Sequence, residues 1–364
     1  MDQELRRQVA RMFMVGFPGP APDPDLRALI DDGVFGAILF KRNVGSAEET
    51  TALCRELKAI AGRPFLLAVD QEGGRVARLR GPPFTALPPM REVGRGADPQ
   101  AAYRIGRLLA YELRAVGFDW DFAPVLDVDT NPANPVIGDR AFDSHPEVVA
   151  RMGVALARGL EDGGVASCGK HFPGHGDTET DSHLTLPRLA HPVQRLRSVE
   201  LVPFRAYGQA KLAAVMTAHV LFDAIDPHVP ATLSESVLEG LLRRELGFEG
   251  VVVSDDLEMK AIADHFGIEH AAVRGTLAGI DLFLVCHDPK SQRGAIDAVV
   301  RAVEAGQVPR ERIEQANRRL DALAARFGHP WEDRLATLNT PEHRALAAGL
   351  SAGSTGRDPT EAVS

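Results

Sequence analysis

The sequence predicts an α/β protein folded as a single (β/α)8 barrel of the TIM type, with room for one irregular strand, and three observations carry that prediction. Short apolar runs recur along the 364 residues, amphipathic stretches with apolar residues three and four apart separate them, and no G-x-G-x-x-G turn follows the first run. The runs are MFMVGF (Met12 to Phe17), FGAILF (Phe35 to Phe40), FLLAVD (Phe65 to Asp70), DFAPVLDVD (Asp121 to Asp129), ASCGKHF (Ala166 to Phe172), AAVMTAH (Ala213 to His219), GVVVSDD (Gly250 to Asp256) and DLFLVC (Asp281 to Cys286). Between them, SAEETTALCRELKAIAG, PQAAYRIGRLLAYELRAVG and PEVVARMGVALARGLEDGG have helical spacing and close on glycine. Continuous apolar strands alternating with helices imply a parallel sheet covered by helices, and eight such units favour a closed barrel over an open doubly wound sheet. Residues 1–350 are expected to form one barrel domain. The small, polar, aperiodic stretch from Ser351 to Ser364 is expected to be a disordered tail.

Composition narrows the function classes. The chain is 45% hydrophobic and 25% charged, which is ordinary for a globular protein. Its formal net charge of -9, without any Lys/Arg-rich block, speaks against a nucleic-acid partner. The opening MDQELRRQVARMFMVGFPGP fits neither a secretory signal nor a membrane span, so a soluble cytoplasmic protein without a membrane partner is expected. Cys54, Cys168 and Cys286 are far apart and form no C-x-x-C pair, which suits small core residues in a reducing compartment.

The chemistry gathers at the strand ends. In a barrel of this kind reactive groups sit on the loops that follow the strands. Here the third run ends in Asp70, the fourth in Asp127 and Asp129, the fifth in Lys170 and His171, the sixth in His219 and the seventh in Asp255 and Asp256. So many ionisable groups on one rim are costly unless they serve a polar ligand. Helix capping accounts for some of them, with Asp129 and Asp256 expected as caps. Asp255, mounted on a rigid strand end, is the candidate nucleophile for attack at an anomeric carbon. The stretch KHFPGHGDTETDSHLTLP, Lys170 to Pro187, holds three histidines on a Gly/Pro-rich backbone that cannot form a regular helix. Within it Asp181 and His183 are two apart, so an extended backbone puts both on one side. The carboxylate can then orient the imidazole as a general acid and base. No H-x-x-E-H or H-x-H signature accompanies these histidines, and neither a metal nor any other cofactor is expected.

Taken together, KHFPGHGDTETDSH, VDQEGGRVARL and VVVSDDLEMKAI resemble the glycoside hydrolase family 3 β-N-acetylhexosaminidases, the single-barrel, NagZ-type enzymes of bacterial cell-wall recycling. The resemblance runs from the first strand to about Gly328. It implies Asp255 as nucleophile and Asp181 with His183 as the family's Asp-His acid/base pair, which replaces the second carboxylate of most glycosidases. It also implies Asp70, Arg78, Arg140, Lys170 and His171 as sugar-binding residues and His219 as a residue near the pocket. Glu258 and Lys260 stand where relatives vary, and no role in the chemistry is expected of them. Many family members supply the acid/base from a second domain; here the loop histidine is expected to do so.

The implied activity is a retaining exo-β-N-acetylglucosaminidase that removes terminal β-linked N-acetylglucosamine from peptidoglycan fragments, muropeptides or chitooligosaccharides, by double displacement. A monomer or weak homodimer is expected. Three alternatives stand beside it: a phosphorylase of the same family in which phosphate replaces water, a non-catalytic sugar-binding barrel, and a metal-dependent amidohydrolase.

Overall fold

The structure, a computed structural model, describes residues 2–179, 186–331 and 334–349. Eight parallel strands form one sheet: β1 (Phe13–Val15), β2 (Gly36–Leu39), β3 (Leu66–Val69), β4 (Trp120–Asp121), β5 (Cys168–Phe172), β6 (Ala214–Thr217), β7 (Val251–Asp256) and β8 (Leu282–Val285). Their spatial order is β4-β3-β2-β1-β8-β7-β6-β5. The ends of that series meet: Trp120 bridges Ala166 and Val125 bridges Lys170, both parallel, so the sheet shuts into a (β/α)8 barrel.

The reason the strands read as unbroken apolar runs is that both faces are buried. Met14, Ile38, Leu66, Ala68, Cys168, Ala214, Met216, Val251, Val253, Leu282 and Leu284 pack together inside the barrel. Their immediate neighbours Phe13, Val15, Ala37, Leu39, Leu67, Val69, Val215, Val252, Phe283 and Val285 pack outward with the helices. This is the period of two that a strand imposes. Leu320, Leu323 and Phe327, from the helix Arg310–Phe327, join the inner cluster.

Three helices match the predicted stretches. Ala47–Ala61 starts with a reciprocal capping box between Ser46 and Glu49 and ends at Gly62, whose φ of 60° is the left-handed conformation that stops helices. Pro99–Val116 and Pro146–Asp162 each begin with proline in the first turn, where its missing N–H costs nothing, and pack on each other.

The fourth strand departs from expectation. Instead of a long strand from Asp121 to Asp129, only Trp120–Asp121 is regular, because Pro124 cannot donate to a ladder. The seam is still bonded: the Cys168 and Lys170 N–H groups donate to the carbonyls of Ala123 (2.8 Å) and Pro124 (3.1 Å), and Leu126 N–H donates to the Lys170 carbonyl (2.6 Å). The three cysteines are buried and unpaired. No helix among the described residues is long and apolar enough to cross a membrane. The expected tail, Ser351 to Ser364, lies outside the described residues.

Candidate active site

The strand ends converge on a cleft lined by Phe40, Asp70, Arg140, Lys170, His171, His175, Asp255, Asp256 and His287, over a floor that includes Ile38, Phe122, Met216, Leu284 and Cys286. The floor is the top layer of the barrel interior, so the polar groups stand on a packed support. Each arrives on its own strand or loop: Asp70 directly after β3, Lys170 and His171 within β5, Asp255 and Asp256 at the end of β7, His287 after β8.

One wall is a lattice of buried ions. Lys170 Nζ lies 2.8 Å from Asp70 Oδ1 and 2.6 Å from Glu72 Oε1. Arg140 grips both oxygens of Glu72, its Nη2 2.8 Å from Oε1 and its Nε 2.9 Å from Oε2. Arg78 Nη2 donates to Asp70 Oδ2 at 3.3 Å. Isolated charges could not remain at this depth, but paired and bidentate ones can. Burial alone would push the Glu72 carboxyl up; the charges of Arg140 and Lys170 outweigh that and hold it below the usual carboxylate range. Burial would likewise lower the Lys170 ammonium, and Asp70 and Glu72 instead raise it. The fully buried Asp121 accepts the Gln71 N–H at 3.0 Å, and among the described residues no salt bridge is found to it. Burial drives its carboxyl well above the ordinary carboxylate value.

A second wall comes from the histidine-rich loop. His171 Nδ1 lies 2.7 Å from Oδ2 of the buried Asp127, and the His175 N–H donates to Asp127 Oδ1 at 2.6 Å. His175 meets His171 edge-on, with ring centroids 5.9 Å apart. Its own Nδ1 contacts Thr178 Oγ1 at 2.7 Å. Burial pushes the His175 ring down to about 4, so it is neutral near pH 7. The loop presses closely on the segment after Asp127: a Cβ on Gly176 would stand 1.9 Å from the Val128 carbonyl oxygen, which leaves room only for glycine.

Opposite these walls is the half-buried Asp255. The Asp256 N–H donates to its Oδ1 at 2.8 Å, which aims the carboxylate. Asp256 is not the expected helix cap, since the next helix begins at Lys260 behind Met259 without a side-chain cap; its Oδ1 accepts the Glu258 N–H at 3.1 Å and closes a turn, and its Oδ2 meets His287 Nε2 at 3.2 Å within the cleft. Asp129 is not a cap: its carboxylate pairs with Arg91, a partner 38 residues earlier that sequence spacing does not reveal. Glu258, for which no role was expected, accepts the N–H groups of His287 (2.5 Å) and Asp288 (2.9 Å) and so fixes the loop that carries His287.

Of the residues predicted from sequence, Asp70, Arg140, Lys170, His171 and Asp255 therefore share one cleft. Arg78 stands behind Asp70. His219 is fully buried, with Nδ1 2.8 Å from Thr232 Oγ1 and Nε2 3.0 Å from the Asp256 carbonyl oxygen, and supports the turn after Asp255 without being among the lining residues. Asp181 and His183 lie outside the described residues. Sequence reasoning missed Glu72, His175 and His287 and gave Asp127 no role. For Glu72 a signal existed: it lies two residues after Asp70, so an extended backbone turns both side chains the same way. Among the described residues no group of three His, Cys, Asp or Glu side chains is placed to hold a metal ion.

Comparison with known proteins identifies the family. The glycosyl hydrolase family 3 N-terminal domain matches residues 4–323. A protein of Neisseria meningitidis serogroup C named β-hexosaminidase is 44% identical over 275 residues, covering 73% of this chain and 75% of its own. The solved family 3 β-N-acetylglucosaminidase of a Paenibacillus species superimposes with a TM-score of 0.91 at 44% identity, over 94% of this chain and 67% of that one. NagZ of Neisseria gonorrhoeae, solved with N-trifluoroacetyl-D-glucosamine, gives 0.72 at 36% identity, over 86% and 97%. With the family domain spanning most of the barrel and relatives of this identity along it, the chain belongs to glycoside hydrolase family 3.

Proposed function

We propose that this chain is a retaining exo-β-N-acetylglucosaminidase that releases terminal β-linked N-acetylglucosamine from cell-wall fragments, acting from one barrel domain over residues 1–350. The observation that carries the reading is the sharing of one cleft by Asp255 and the Asp70, Lys170, Arg140 and His171 group. Charged side chains in pairs suit vicinal hydroxyls, and a carboxylate on a rigid strand end suits nucleophilic attack. Relatives named β-hexosaminidase support the sugar class.

In this mechanism the sugar ring lies against Asp70, Lys170, Arg140 and His171, while Arg78 and His219 act from behind, one on Asp70 and the other on the turn after Asp255. Asp255 attacks the anomeric carbon and forms a covalent glycosyl-enzyme as His183, oriented by Asp181, protonates the departing oxygen. His183 then takes a proton from the water that attacks the same carbon and releases the sugar. No cofactor enters the scheme. The test is turnover of chromogenic β-glycosides of N-acetylglucosamine and of glucose, with and without phosphate. Preference for the first glycoside, with free sugar as product, supports the reading. Sugar 1-phosphate as the main product would replace hydrolysis by phosphorolysis, and no turnover of either glycoside would refute it.

A further inference from the structure

We propose that Asp127 is a positioning residue that fixes the His171 ring and the first turn of the histidine-rich loop together, so that His171 offers the sugar a hydrogen-bond-accepting Nε2. The proposal rests on the reading of His171 as a sugar ligand. Asp127 is fully buried, and both of its oxygens are occupied. Oδ2 lies 2.7 Å from His171 Nδ1, Oδ1 accepts the His175 N–H at 2.6 Å, and the His171 N–H reaches both oxygens at 3.2 and 3.3 Å. Burial pushes this carboxyl up, but His171 and then His175 outweigh it and hold it below its ordinary value.

An ionised carboxylate only accepts hydrogen bonds, so a neutral His171 must keep its proton on Nδ1 and expose the lone pair of Nε2. That matters because Lys170 and Arg140, its neighbours in the cleft, can only donate. A hydroxyl both donates and accepts, so a donor and an acceptor side by side select a free sugar hydroxyl over an ether at the same place. The same carboxylate anchors the loop backbone at His175, where Asn134 Nδ2 also donates to the His175 carbonyl at 2.8 Å. One buried group thus joins the sugar ligand to the base of the loop that leads toward Asp181 and His183.

The test uses the full chain labelled with ¹⁵N-histidine. Long-range ¹H–¹⁵N spectra at pH 7–8 should show His171 of the wild type protonated at Nδ1, and hydrogen exchange at the His175 amide should be slow. In Asp127→Asn the amide can donate as well as accept. The ring should then populate both tautomers, the His175 amide should exchange at least about tenfold faster, and kcat/KM on a chromogenic N-acetylglucosaminide should fall about 10- to 100-fold. A wild-type ring protonated at Nε2 overturns the proposal, as does an Asn variant with unchanged tautomer, unchanged exchange and kcat/KM within about twofold. If the Asn variant does not fold, the wild-type tautomer alone decides. If the wild type cleaves no N-acetylglucosaminide, the functional reading falls, while tautomer and exchange still judge the role of Asp127.

Discussion

Lys170 Nζ stands 2.6 Å from Glu72 Oε1 with both side chains 2% exposed, and Arg140 holds the same carboxylate from its other side. Neither cation can move to water if that carboxylate is lost. Glu72→Gln keeps the shape and removes the charge, so it should destabilise the protein by about 3–5 kcal/mol, the usual consequence of breaking a buried pair. Urea unfolding measures this, and a loss below about 1 kcal/mol would show that the lattice relaxes without it. In the folded fraction KM should rise more than kcat falls, because Glu72 holds Lys170 and Arg140, the groups proposed to bind the sugar.

Asp255→Ala should cut kcat on the order of 10⁴-fold, as expected for loss of a nucleophile. Asp256→Ala should keep most of the activity and lose stability through the turn it closes at Glu258 and its contact with His287. A slow fluorinated glycoside should leave its label on the peptide that contains Asp255. Label on another carboxylate moves the nucleophile there.

His183→Ala should slow glycosides with poor leaving groups by about 10²- to 10⁴-fold while sparing nitrophenyl substrates, which scarcely need a proton. Asp181→Asn should shift rates in the same direction but less, because the imidazole remains and loses only its orientation. Equal losses on good and poor leaving groups would move the search for the acid to Asp177, Glu179 and His175.

His175 gives stability a pH dependence of defined sign. The folded ring binds its proton near pH 4 and an unfolded one near 6.5, so between these values the unfolded chain holds more protons. Stability therefore rises with pH across this window, is complete above about 6.5 and falls as pH drops toward 4. His175→Gln should remove that part of the slope in thermal melts at pH 4.5 to 7.5. A variant that follows the wild-type slope throughout would show a ring that titrates normally.

The barrel could be read from sequence because its strands are buried on both faces, and a short unbroken apolar run bounded by turns, repeated eight times between helices, suits a covered parallel sheet and little else. Asp255, Lys170 and His171 were legible for a related reason: a charge at the end of such a run has nowhere to go but the rim. Glu72 was not, since QEGG resembles any polar turn, and its depth depends on Arg140 and Lys170, 68 and 98 residues away. Asp129 misled in the same way, as a local cap is the default until Arg91 is seen beside it. The fourth strand failed at Pro124, where apolar character continues but the ladder cannot.

Lys170 closes the seam of the barrel with its backbone and holds Asp70 and Glu72 with its side chain. Docking of the fifth strand and assembly of the proposed sugar site are therefore one event, while the ring itself is complete only when β8 pairs with β1, Phe283 against Phe13. A nascent chain that has made only its first four strands carries Asp70 and Glu72 with no cation from the fifth, so it should neither recognise sugar nor stay compact. On the proposed function, a saturating sugar ligand, favouring only the folded barrel, should protect the chain against unfolding and proteolysis in proportion to the logarithm of its concentration.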